Sequence, residues 1–85
     1  MKLVRTYKPV YVHDEPQYYQ KALYKPTPEE LKELRETEDF HSVALEMTGL
    51  YDYYAGYPGG RYEHYSFELT PAGYLSATCL AGLDV

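Results

Sequence analysis

The sequence predicts a small α+β domain: an N-terminal edge strand, three helices, a β-hairpin and a closing helix. Three observations predict it. First, residues 51–57 and 62–69 alternate. Tyr51, Tyr53, Ala55 and Tyr57 fall opposite Asp52, Tyr54 and Gly56, and Tyr65, Phe67 and Leu69 fall opposite Tyr62, His64, Ser66 and Glu68. Second, Pro58, Gly59 and Gly60 lie between these segments and supply a turn, because glycine accepts positive φ and proline fixes its own. Third, two Thr-Pro pairs, Thr27-Pro28 and Thr70-Pro71, each set a capping hydroxyl before a proline at the first helical position.

Taken in order, residues 2–12 are rich in β-formers and broken by Pro9, which suits an edge strand or extended arm. This arm can pair with the hairpin as a third strand. Asp14 or Glu15 caps a short helix over residues 16–24, with Tyr19, Ala22 and Leu23 on one side, ended by Pro26. Thr27, Pro28 and Glu30 form a capping box at the head of a helix over residues 28–36. The stripe of Leu31 and Leu34 is out of phase with Phe40, Val43, Ala44 and Met47, so a second helix spans residues 39–47 and Gly49 ends it. A hairpin over residues 50–69 follows, and a last helix runs over residues 71–80, weakened by Gly73.

The run from Gly49-Leu50 through the tyrosine-rich hairpin to Phe67-Glu68-Leu69-Thr70-Pro71-Ala72-Gly73-Tyr74-Leu75 resembles the end of a winged helix-turn-helix domain of MarR-, PadR- and HxlR-like regulators. The resemblance covers roughly residues 27–80. It implies a recognition helix over residues 39–47 and a wing over residues 50–69. Between Leu31 and Gly49 the chain is about one helical turn shorter than such regulators usually are.

Eighty-five residues bury only about 60 to 65% of their unfolded surface, enough for one core, so the chain is read as a single domain. One cysteine excludes an internal disulfide, and neither a leader nor a long apolar run is present, which suggests an intracellular protein off the membrane. Charge divides along the chain: seven basic residues face five acidic ones up to Arg35, and from Glu36 onward Arg61 alone faces eight. These balances of +2 and −7 sum to the net −5, and they run against phosphate binding by the second half.

By the resemblance, double-stranded DNA is the expected partner. His41 and Ser42 would face bases, Arg61 at the wing tip would meet phosphate or a narrow minor groove, and Lys32, Arg35 and Thr37 would hold the backbone. Tyr54 and Tyr62, on the other face of the hairpin, can stack on bases, anchor a protein partner, or pair with one another across the hairpin. The arm carrying Val10 and Tyr11 is free to pair or swap with a second copy, which would make a homodimer. The main expectation is a DNA-binding regulator whose size suits a virus or mobile element. The rival is a protein-binding module whose acidic, tyrosine-rich half covers a basic groove on a host enzyme. His13, His41, His64 and Cys79 lack paired metal-ligand spacing and no phosphate loop is present, so neither cofactor, metal nor enzymatic activity is expected.

Overall fold

The computed structural model describes residues 1–12 and 16–83. Along them run β1 (Lys2–Thr6), β2 (Val10–Tyr11), β3 (Gln17–Lys25), α1 (Pro28–Glu36), α2 (Phe40–Thr48), β4 (Tyr53–Tyr54), β5 (Arg61–Leu69) and β6 (Leu75–Leu83). The strands form one six-stranded antiparallel sheet in the order β1-β3-β6-β5-β4, with β2 also on β3. This corrects the winged helix-turn-helix expectation, because the segments expected to be the first and last helices are the two long strands β3 and β6. They pair along their length, from Gln17 opposite Gly82 to Tyr24 opposite Leu75.

Both corrections have local causes. In β3, Tyr18, Gln20, Ala22 and Tyr24 alternate with Tyr19, Lys21 and Leu23, so the Ala22-Leu23 pair that suggests a helical stripe is one residue from each face. Tyrosine, frequent here, also favours strands. At the second Thr-Pro pair, Gly73 has φ +85, a left-handed conformation that no helix interior holds. Its N–H donates to Thr70 O (3.0 Å), Thr70 N–H donates to Tyr74 O (2.8 Å), and Tyr74 N–H donates to the Thr70 hydroxyl (3.0 Å). The proline therefore sits at the second position of a hairpin turn, and the glycine closes it.

The first Thr-Pro pair does cap a helix. Thr27 Oγ1 accepts from Glu30 N–H (3.2 Å), and Glu30 Oε1 accepts from Thr27 N–H (2.9 Å). α1 then buries Leu34. α2 buries Ala44 and ends at Gly49, whose φ of +74 lets its N–H reach back to the carbonyls of Leu45 and Glu46. The asparagine-free link between the helices is held by Thr37 Oγ1, which accepts from Asp39 N–H (3.0 Å).

β3 and β5 are parallel, with β6 running antiparallel between them. Both helices belong to the single connection from β3 to β5, so both lie on the same side of the sheet. There Leu34, Ala44 and Leu75 form the buried centre, flanked by Met1, Tyr24, Phe40, Val43, Met47, Phe67 and Leu69. Every sheet residue in that group has the same parity in the ladder. The opposite face carries no helix among the described residues.

The N-terminal segment pairs with β3 and not with the hairpin: β1 takes Ala22 to Lys25, and β2 takes Tyr18 and Tyr19. Residues 7–9 interrupt it, where Pro9 supplies no N–H. The hairpin itself is present, with Tyr54 opposite Tyr62, and its turn lies at the Pro-Gly-Gly tip, closed by Gly60 N–H to Tyr57 O (2.9 Å). Gly59 has φ +81 there, and a side chain on Gly60 would come within 2.6 Å of Ala55 Cβ.

Candidate functional site

Registry fixes which side chains share the helix-free face. On β5 they are Tyr62, His64, Ser66 and Glu68; on β6, Ser76, Thr78, Leu80 and Gly82; on β3, Gln17, Tyr19, Lys21, Leu23 and Lys25. β1 adds Lys2 opposite Lys25 and Arg5 opposite Leu23, and β2 adds Val10 opposite Tyr19. Tyr7 N–H bonds Lys21 O (2.9 Å), which continues the row, and the Arg5 guanidinium lies 4.6 Å from the centre of the Tyr7 ring.

One half of this face is aromatic. The Tyr62 and His64 rings stack, 5.5 Å apart and 26° from parallel. Gly82 lies between Tyr62 and Gln17 in the ladder, so the Tyr62 hydroxyl crosses it to donate to Gln17 Oε1 (3.1 Å). A side chain on Gly82 would come within 2.5 Å of Pro16 O, so the gap is obligatory. One row further, Tyr19 and His64 flank Leu80. Two strand spacings separate them, about 10 Å, which leaves room for one flat ring over Leu80. Tyr19 is 45% exposed.

The other half is basic. Among the described sheet residues, Lys2, Arg5, Lys21 and Lys25 stand on this face against Glu68 alone, a local balance of +3 in a chain of net −5. Among the described residues, the ion pairs lie elsewhere: Met1 with Glu30 (3.0 Å), His41 with Asp52 (3.0 Å) and Arg61 with Glu63 (3.7 Å).

The residues singled out by sequence are not gathered into one site. His41 Nε2 is bonded to Asp52 Oδ2 and its ring packs 5.5 Å from Phe67. Asp52 Oδ1 accepts from Tyr65 N–H (2.8 Å), so this carboxylate fastens α2 to β5 just past the short β4 ladder. Burial acts to raise the Asp52 pKa, but the bonds from His41 and Tyr65 outweigh it and hold the carboxyl below its ordinary value. Ser42 is exposed on α2, and Thr37 closes α1. Lys32 shares its surroundings with Glu29, Glu33 and Glu36, which oppose phosphate there, and Arg35 is exposed in the last turn of the same helix. Arg61 lies on the helix-bearing face by register, at the end of β5 away from the core. Tyr54 and Tyr62 do pair in register, and on the helix-free face. Val10 and Tyr11 are exposed but already occupy β3 of their own chain, and Tyr11 packs on Tyr18 with ring centres 5.6 Å apart.

Sequence reasoning missed Lys2, Arg5, Lys21, Lys25 and Tyr19. The available signal was the period-2 spacing of Tyr19, Lys21, Leu23 and Lys25, masked by reading that segment as a helix. The candidate metal ligand His13 and the caps Asp14 and Glu15 lie outside the described residues. Among the described residues no three His, Cys, Asp or Glu side chains group as metal ligands, and no helix is long and apolar enough to cross a membrane. Compared with protein families, curated proteins and solved structures, the chain has no significant match.

Proposed function

We propose that the helix-free sheet face binds single-stranded nucleic acid. The observation that carries this reading is the placement of Lys2, Arg5, Lys21 and Lys25 on the same sheet face as Tyr19, Tyr62 and His64, a face that no helix covers among the described residues. Bases supply flat faces that stack on aromatic side chains, and phosphates supply the charge that lysine and arginine neutralise. The platform is wide enough for about two or three bases, with the backbone running over the β1–β3 edge. In this reading single strands are preferred to a duplex, whose bases are stacked inside and offer no free faces to the rings.

The test is fluorescence anisotropy with labelled oligothymidylate, oligouridylate and a duplex of mixed sequence, across a range of salt. Single strands should bind better than the duplex. Neutralising about three or four phosphates gives a log–log salt slope of about −2 to −3. Lys21→Glu with Lys25→Glu should remove most of the binding, and Tyr19→Ala should weaken it by about 1 to 3 kcal/mol. Lys32→Glu with Arg35→Glu, on the helical side, should leave it unchanged. Equal effects from the two charge reversals would contradict the reading.

A second reading rests on the helical side. Residues 28–52 hold eight carboxylates against Lys32 and Arg35. A dense negative surface of this kind suits a protein partner with a basic groove. Absence of single-strand binding at low salt would favour it.

A further inference from the structure

The helices cover only one end of their face of the sheet. Their edge lies over the row Ala22–Ala77–Phe67, where Phe67 meets His41, and beyond it run Gln20–Cys79–Tyr65 and Tyr18–Ala81–Glu63. The central strand contributes a small residue in each row, and the flanking strands contribute Tyr65 in the second row and Tyr18 in the third. The result is a half-open cavity of about 230 Å³, floored by Ala22, Ala77 and Cys79 and walled by Tyr18, Tyr24 and Tyr65. Leu50, leaving α2, closes one side, and Glu63 stands at the rim. Among the described lining residues Glu63 is the one carboxylate. Lys21 borders the cavity with its backbone, since its side chain belongs to the other face by register.

We propose that this cavity binds a compact organic ammonium cation, such as a trimethylammonium group. Three tyrosine rings line the cavity, and aromatic rings attract a cation of that shape, which sheds its water easily, through the negative side of their quadrupoles. Glu63 supplies the balancing charge. Its pairing with Arg61 at 3.7 Å is exposed on the arginine side and of little strength, so the carboxylate remains available. The remaining polar groups do not compete as anions: burial raises the Cys79 thiol and the Tyr65 and Tyr24 phenols, and all three stay neutral near pH 7. A neutral apolar guest of the same size would fill the cavity but forgo the ring and carboxylate attraction.

The experiment is an amide NMR titration of the full chain with choline, alongside choline's neutral tert-butyl analogue, in sodium chloride of matched ionic strength. The expected result is saturable shifts at Ala22, Tyr65, Ala77 and Cys79, with choline at least about tenfold tighter than the analogue. Tyr65→Phe keeps the ring and should keep binding, whereas Tyr65→Leu should abolish it, and Glu63→Gln should weaken it several-fold. Retained spectral dispersion shows that each variant folds. Equal affinity for the neutral analogue, or no saturable shift in a well-dispersed wild-type spectrum, would overturn the proposal.

Discussion

The two faces of β6 differ in both burial and charge. Leu75, Ala77 and Ala81 point toward the helical side and are 2% exposed or less, while Ser76, Thr78 and Leu80, between them on the same strand, are only half-buried. Charge divides the same way, acidic on the helical connection and basic along the bare face. A single feature produces both differences. The connection from β3 to β5 carries every helix among the described residues, so it covers one face, gathers its own carboxylates there, and leaves the basic N-terminal strands facing the other way.

Paired substitutions test that difference most strongly. Leu75→Ala should cost about 3 kcal/mol in urea unfolding, through lost transfer energy and an unfilled cavity at the buried centre. Leu80→Ala, five residues on and facing the bare side, should cost about 1 kcal/mol or less. Similar losses at the two positions would mean that something covers the bare face. Next in size, Gly73→Ala forces a side chain into the left-handed region and should cost about 1 to 2 kcal/mol. Its Cβ would meet only Leu31 Cδ2 at 3.4 Å, so the penalty is conformational, not steric.

The smallest effect is a pH dependence. The Asp52 carboxyl is held below its unfolded value, so its contribution is fully present above about pH 4 and is lost as pH falls through the lower folded value. Both partners are more than a third exposed, and solvent screening keeps the effect small. Asp52→Asn should flatten this part of the acid limb in a pH series of unfolding midpoints, while Ser42→Ala, on the same helix, should not.

The two Thr-Pro pairs show what was legible in the sequence and what was not. At Thr27 the third residue onward is Glu30, whose side chain returns a bond to the capping residue, and the helix forms as expected. At Thr70 the third residue onward is Gly73, which takes positive φ, and the same hydroxyl caps a hairpin turn instead. Local chemistry at Thr27, Gly49 and Pro58-Gly59-Gly60 was therefore sufficient. β3 and β6 were harder to read: the period-2 spacing of β3 and the glycine before β6 were local signals, but each strand is buried on one side only by partners distant in sequence, and their mixed polar and small residues fit either period. The candidate site shared that fate. Tyr62 was visible as an outward hairpin residue, whereas Lys21 and Lys25 fall on one face with Lys2 and Arg5 only once period 2 is assigned to β3.

The most direct test of the two-faced architecture is a titration of the chain with a short oligothymidylate, followed through aromatic ring protons. The rings of Tyr19, Tyr62 and His64 should shift together and saturate, and those of Phe40, Phe67 and Tyr24 should stay in place. Shifts confined to His41 and the residues of α2, with the rings of the bare face unmoved, would contradict the account.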